Sequence, residues 1–183
     1  EIIANVPELV SEWGGYRMLW VNGQTPGMLH LAERADSLAD LSGRQIRMPG
    51  DLGAWGTALG IVPVSMPTGD IYQAGQKGII DGAYSGPHEL KNLQLAEIFP
   101  FTLDFPTNTG TFCTAITEEK WNSFPDDVKA VLESTSAWAA AEMGDRWDQQ
   151  AAEGFEWAAD LGHEMVEPSA DELKKMLDQQ GGN

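Results

Sequence analysis

Arg47 is the residue whose type and setting best fit a chemical task. It lies in the run Arg44-Gln45-Ile46-Arg47-Met48-Pro49, a short alternating strand closed by Pro49-Gly50. Alternation puts it on the face opposite Ile46 and Met48, at the end of the strand where a ligand would sit. A guanidinium is a planar fork that pairs bidentately with a carboxylate. Gly50 and Asp51 follow at once, so backbone N–H groups of a following helix could face the same anion. The plainer reading is a solvated arginine in a surface salt bridge, and on pattern alone that is the commoner outcome.

Other chemistries find little support. Gly50, Gly53 and Gly56 form G-x-x-G-x-x-G, which is not the dinucleotide spacing, and no G-x-x-x-x-G-K-[ST] phosphate loop occurs. His30, His88 and His163 are far apart and lack zinc-ligand spacing, so no metal site is expected. Ser85-Gly86-Pro87-His88 brings a hydroxyl near an imidazole, with Asp81 upstream, but no nucleophile elbow surrounds it. A hydrolase built on Ser85, His88 and Asp81 is therefore the weakest reading. No cofactor is expected.

The elements that must position Arg47 follow from the pattern between Leu38 and Gly86. A strand at 44–49 precedes a helix at 51–59 that stops at Gly60. Ile61 to Met66 reads as a second strand, in which Pro63 favours an edge position or an irregular start. A helix at 68–77 ends at Gly78, and Ile79-Ile80-Asp81-Gly82 reads as a third strand. This βαβαβ order predicts an α/β fold with a parallel sheet, and ligands at the carboxyl ends of its strands. Arg47–Asp51, Met66–Asp70 and Gly82–Pro87 are the segments to watch.

Downstream, Ser123 and Pro125-Asp126-Asp127 start a helix with acidic residues in its positive first turn. Apolar spacing carries it to Asp160; unbroken, it would be roughly 50 Å long, so it either bends near Gly144 or Gly154 or bridges two lobes. A strand at 163–166 follows. Ser169-Ala170-Asp171-Glu172 is a capping box for a last helix over 170–179.

The chain carries 28 acidic and 11 basic residues, a formal net charge of −17. That field repels phosphate backbones and anionic lipid, so neither nucleic acid nor a membrane surface is an expected partner. The single cysteine, Cys113, rules out a disulfide within the chain. The longest apolar stretches are far short of a membrane span. The opening Glu1-Ile2-Ile3 has no export signal and no initiator methionine, as expected of a mature chain or a fragment.

Five motifs in order resemble those of DctP-type receptors of TRAP (tripartite ATP-independent periplasmic) transporters. Asp40-Leu41-Ser42-Gly43-Arg44-Gln45-Ile46-Arg47-Met48-Pro49-Gly50 resembles D-L-K-G-x-K-I-R-x-P-G. Leu59 to Pro67 resembles L-G-A-x-P-V-x-M-P, and Asp70 to Ala74 resembles E-V-Y-x-A. Gly78 to Gly82 resembles G-V-I-D-G, and Trp121 to Pro125 resembles W-x-x-L-P. The resemblance implies a periplasmic-binding-protein-like fold of two lobes (type II-like), here partial, with a long helix bridging them. Residues 1–24 would be part of lobe I and 25–108 lobe II with its βαβαβ core. Residues 109–160 would return to lobe I and form the bridging helix; 161–183 would pack back on lobe II.

The function implied is capture of a small organic acid in the periplasm, by a carboxylate–arginine pair in an interlobe cleft. Delivery would be to the small and large membrane subunits. Arg47 stands where the family pairs an arginine with the ligand carboxylate. Ser85 stands where many members place a polar contact. Tyr84 lies near the glutamate and tryptophan of a keto-acid-binding branch. That glutamate is missing here, so no sodium is implied. Gly50, Trp55 and Asn108 are further candidate ligand contacts, and Trp20 and Phe105 could also line the cleft. A sensory module using the same cleft is the alternative.

Overall fold

The computed structural model describes residues 13–105, 107 and 109–180. The strands are β1 (Tyr16–Gly23), β2 (Met28–Leu31), β3 (Gln45–Arg47), β4 (Val62–Val64), β5 (Gly82–Ser85), β6 (Phe101–Leu103), β7 (Thr111–Thr117) and β8 (Glu164–Val166). The helices are α1 (Leu38–Leu41), α2 (Gly53–Ala58), α3 (Ile71–Gln76), α4 (Glu89–Asn92), α5 (Glu118–Asn122), α6 (Asp126–Asp160) and α7 (Ala170–Gln180). Short 3₁₀ turns, Gly50–Leu52 and Thr68–Asp70, lead into α2 and α3.

The chain divides into two compact units. One comprises residues 1–24 and 110–147, the other 25–109 and 148–183. In the first, β1 and β7 form an antiparallel ribbon whose register shifts between Met18 and Trp20. Arg17 stacks on the Trp121 ring at 4.2 Å and lies 3.8 Å from Glu133. Helix α6 is continuous over 35 residues and changes unit after Trp147.

The second unit holds a six-stranded sheet in the order β4-β3-β5-β2-β6-β8. Only β2 runs against its neighbours; β3 is parallel to β4 and β5, and β6 to β8. Strand β4, with its proline, is an edge strand, where the missing N–H disrupts no inner ladder. The alternation read from Ile46 and Met48 separates two cores. On one face Ile46, Met48, Leu29, Leu31, Tyr84, Leu103 and Val166 pack with Met176 of α7. On the other, Ala83 packs with Ile71, Leu90, Phe99 and Ala158 of α6.

Two expectations are corrected. The third strand is Gly82–Ser85, not Ile79–Gly82. Ile79 N–H closes α3 by bonding the Ala74 carbonyl, after Gly78 turns the chain at φ +66°. Ile79 is thereby exposed and only Ile80 enters the core. The capping box before α7 is half formed. Ser169 Oγ accepts from Glu172 N–H at 3.3 Å, but the Glu172 carboxylate leaves the cap to accept from Leu38 N–H at 2.9 Å. The tie to α1 replaces the local one.

Helix α6 is unbroken at its glycines. At Gly154 it packs against the chain after β5, and a Cβ there would overlap the Pro87 carbonyl. Around Gly144 there is open space. A buried polar chain crosses the same unit. His30 Nδ1 and His163 Nε2 each lie 2.7 Å from Thr102 Oγ1. His30 is fully buried, and its Nε2 faces the Ser85–Gly86 backbone without reaching hydrogen-bond geometry. Burial, then the neighbouring His163, lowers its pKa from 6.5 to about 3.

Two outcomes follow from these contacts. Gly144→Ala is expected to stabilise by about 0.5–1 kcal/mol through helix propensity, whereas Gly154→Ala costs about 1–3 kcal/mol by forcing backbone apart. Thermal melts followed by circular dichroism should show midpoints moving in opposite directions. His30 stays neutral in the folded chain while its unfolded counterpart takes up a proton below pH 6.5. Stability contributed above pH 6.5 is thus lost as pH falls towards about 3, at up to roughly 1.4 kcal/mol per pH unit. Melts across that range should decline less steeply in His30→Gln.

Candidate anion site at the carboxyl edge of the sheet

Arg47 ends β3, between β4 and β5, and its side chain leaves the sheet at the carboxyl ends of all three. Its Nε–H donates to the Met66 carbonyl at 3.2 Å, Nη1 to the Tyr84 carbonyl at 3.3 Å and Nη2 to Thr68 Oγ1 at 3.1 Å. The three watched segments therefore meet on one guanidinium. A guanidinium has five N–H donors, so one remains on each terminal nitrogen. No carboxylate of the described residues comes within 4.0 Å of it. Partial burial lowers its pKa, and the charge of Glu89 pulls the other way. It remains a cation at neutral pH.

Ser85 is the last residue of β5 and 5% exposed, and its Oγ is buried without a hydrogen-bond partner. Glu89, at the start of α4, has a side chain only 18% exposed. Burial raises its pKa, opposed by the nearby Ser85 hydroxyl and by Arg47. The hydroxyl is close enough to favour the carboxylate but makes no well-formed hydrogen bond with it. Burial also lowers the pKa of His88, whose Nε2 lies 3.9 Å from Glu89 Oε1.

Tyr84 serves through its backbone rather than its ring. Its side chain is in the core: the ring meets Trp55 edge-on at 5.9 Å, and its OH accepts from Thr107 Oγ1 at 2.7 Å. Gly27 has no Cβ because one would overlap that ring. Trp55 packs on the same core, with its Nε1 buried and unpaired. Phe105, 1% exposed, is a core residue packed near Trp55. Gly50 is exposed at the first position of its 3₁₀ turn. Trp20 lies on β1 in the other unit, and Asn108 lies outside the described residues. The hydrolytic constellation does not assemble: Asp81 accepts from Gln45 N–H at 2.7 Å, at the opposite end of β3, and Ser85 Oγ bonds to no imidazole.

The profile of the DctP family, bacterial extracellular solute-binding protein family 7, matches residues 18–180. The chain belongs to this family. Family 7 proteins of this kind are binding proteins and not enzymes. Solved structures agree with the assignment. A TRAP periplasmic solute-binding protein of Desulfovibrio salexigens is 30% identical at a TM-score of 0.80, over 92% of this chain and 53% of that one. That protein was crystallised as an open complex with the C-terminus of a symmetry mate in its ligand-binding site. A Bordetella pertussis extracytoplasmic solute receptor binding pyroglutamic acid matches at 17% identity and a TM-score of 0.87, over 96% and 59%. A TRAP solute-binding protein of Rhodoferax ferrireducens with copurified benzoate matches at 22% and 0.83, over 98% and 57%. The family 7 chain described here thus spans between 53% and 59% of the length of these three.

The sequence singled out Arg47, Ser85 and the segment that holds Met66 and Thr68, and gave no notice of Glu89. Thr68 lay inside a watched segment, in the place of a helix start. Glu89 gave no signal among so many acidic residues, and only burial sets it apart. No helix of the described residues is long and apolar enough to cross a membrane.

Proposed function

We propose that this chain captures a small organic acid, with the ligand carboxylate on Arg47. The observation that carries this reading is a partly buried guanidinium held by three neutral acceptors, with no carboxylate of the described residues within 4.0 Å. Taking a charge out of water costs several kcal/mol unless an opposite charge and hydrogen bonds compensate. Neutral acceptors offset part of that cost, and an incoming carboxylate supplies the rest through the two unused N–H groups. The buried Ser85 hydroxyl adds a further polar contact, and Trp55, Gly50 and Asn108 are candidates for the surroundings. That the three relatives above were solved with a peptide C-terminus, pyroglutamic acid and benzoate in place supports a carboxylate-bearing ligand.

The rest of the role follows the family. The protein acts in the periplasm as the receptor of a TRAP transporter and hands its ligand to the small and large membrane subunits. Binding and release of cargo need no bond to be made or broken.

Isothermal titration against a panel of small organic acids identifies the best ligand, and Arg47→Ala is then expected to weaken it at least 100-fold. Two charge-assisted hydrogen bonds, each about 1.5–3 kcal/mol, are lost together. Arg47→Lys should fall between, because an ammonium keeps the charge but not the fork. Unchanged affinity in Arg47→Ala, in a variant that melts like the parent, would remove the arginine from the mechanism.

A further inference from the structure

We infer that Glu89 forms an acidic subsite beside Arg47, which selects acids carrying a hydroxyl or amino group near the carboxylate. The inference rests on the capture reading and adds the class of ligand. Ser85-Gly86-Pro87-His88-Glu89 turns directly from β5 into α4, so Glu89 is brought back to the edge where Arg47 and Ser85 emerge. Its side chain is 18% exposed, and among the described residues the Ser85 hydroxyl lies close enough to favour its carboxylate while falling short of hydrogen-bond geometry. The nearest cationic atom, His88 Nε2 at 3.9 Å, is too far for a hydrogen bond. Burial also disfavours the charged imidazole. Ser85 Oγ, beside the carboxylate, is itself buried and unpaired.

The polar capacity left open here is therefore of two kinds. Arg47 offers two N–H donors to an anion. Glu89 offers the acceptor oxygens of a largely covered carboxylate to a donor, and the buried Ser85 hydroxyl can serve either. A plain carboxylic acid fills the first set and leaves the second empty, while placing its own negative charge near that of Glu89. A hydroxy or amino acid fills both, with the hydroxyl or ammonium on Glu89. A buried polar group left unfilled, as Ser85 Oγ would be by a plain acid, penalises the poorer ligand more than added contacts favour the better one, so the hydroxy acid is expected to be preferred.

The test is titration of the full chain with three pairs of acids that differ by one hydroxyl: lactate and propionate, malate and succinate, mandelate and phenylacetate. The hydroxy acid should bind at least tenfold tighter in every pair that gives measurable heat. Glu89→Leu should bring the ratio within threefold, weakening the hydroxy acid and strengthening the plain one. If Glu89→Leu fails to fold, Glu89→Gln should still cut the ratio at least threefold, since an amide oxygen is a weaker acceptor than a carboxylate. A side chain that merely offsets the charge of Arg47 would, when replaced, change both members of a pair alike and leave the ratio standing. A ratio near one in the parent, or one that survives replacement of Glu89, overturns the subsite. If Arg47→Ala abolishes binding of both members while the ratio is one, capture stands and only the Glu89 assignment falls. If both members bind Arg47→Ala as they bind the parent, the capture reading itself is lost.

Discussion

A charge drawn partly out of water is normally met by an opposite charge at contact; at Arg47 neutral groups make the contacts, and Glu89 acts on it from beyond 4.0 Å. The Met66 and Tyr84 carbonyls and the Thr68 hydroxyl fix the guanidinium in one orientation without cancelling it. Each acceptor comes from a different segment: the exit of β4, the turn into α3, and β5 itself. Their convergence requires β4, β3 and β5 to be parallel and in the observed register, with Arg47 opposite both Val64 and Ala83. A slip of one residue would put Ile46 or Met48 at the site and Arg47 in the apolar core. The hydrophobic face of β3 and the site on its other face are thus specified by the same alternation.

The support for this arrangement extends outward through close packing. Tyr84 lends its carbonyl to Arg47, and its ring is held from three sides. Gly27 lies flat against it, Trp55 meets it edge-on, and Thr107 bonds its hydroxyl. Displacing the ring would therefore shift an acceptor of the guanidinium. Gly154 plays a comparable part from α6, letting the helix touch the backbone at Pro87 in the turn that delivers Glu89. In register with Arg47 across the sheet come Ala83, His30 and Thr102. The fully buried imidazole of His30 faces the backbone that follows Ser85, so a protonated histidine there would disturb the strand that carries the site.

How much of this was legible in the sequence depends on how local the cause is. Ile46 and Met48 flanking Arg47, Pro63 in β4, and the acidic start of α6 are neighbour effects, and each appears in the structure as the pattern implies. Strands β2 and β6 went unread because their partners are distant. Leu29 pairs with Leu103, and Met28-Leu29-His30-Leu31 is buried on both faces, so it shows no alternation. Strands β1 and β7 were hidden for the same reason of distance, Tyr16 lying opposite Thr117. Ile79-Ile80 misled because two β-branched residues look like a strand, whereas the turn at Gly78 uses them to close a helix. At the site, Arg47 could be found by its alternation. Thr68 and Glu89 could not, since a threonine at a helix start and one glutamate among 28 acidic residues are both ordinary until burial is known.

The overall charge bears on what the site can recognise. At −17 the chain as a whole repels an organic anion, but at physiological ionic strength charges are screened over about 8 Å. On the proposed capture reading, recognition falls to the charges within that range. Arg47 and Glu89 are opposite in sign and near each other, so their fields partly cancel at a distance and a bare anion gains little from long-range attraction. What remains strong at contact is directional: two N–H donors on one side, carboxylate and hydroxyl oxygens on the other. An edge of this kind distinguishes ligands by where their donors and acceptors lie more than by net charge. In a strongly acidic protein, that is the way a single arginine can be selective as well as attractive.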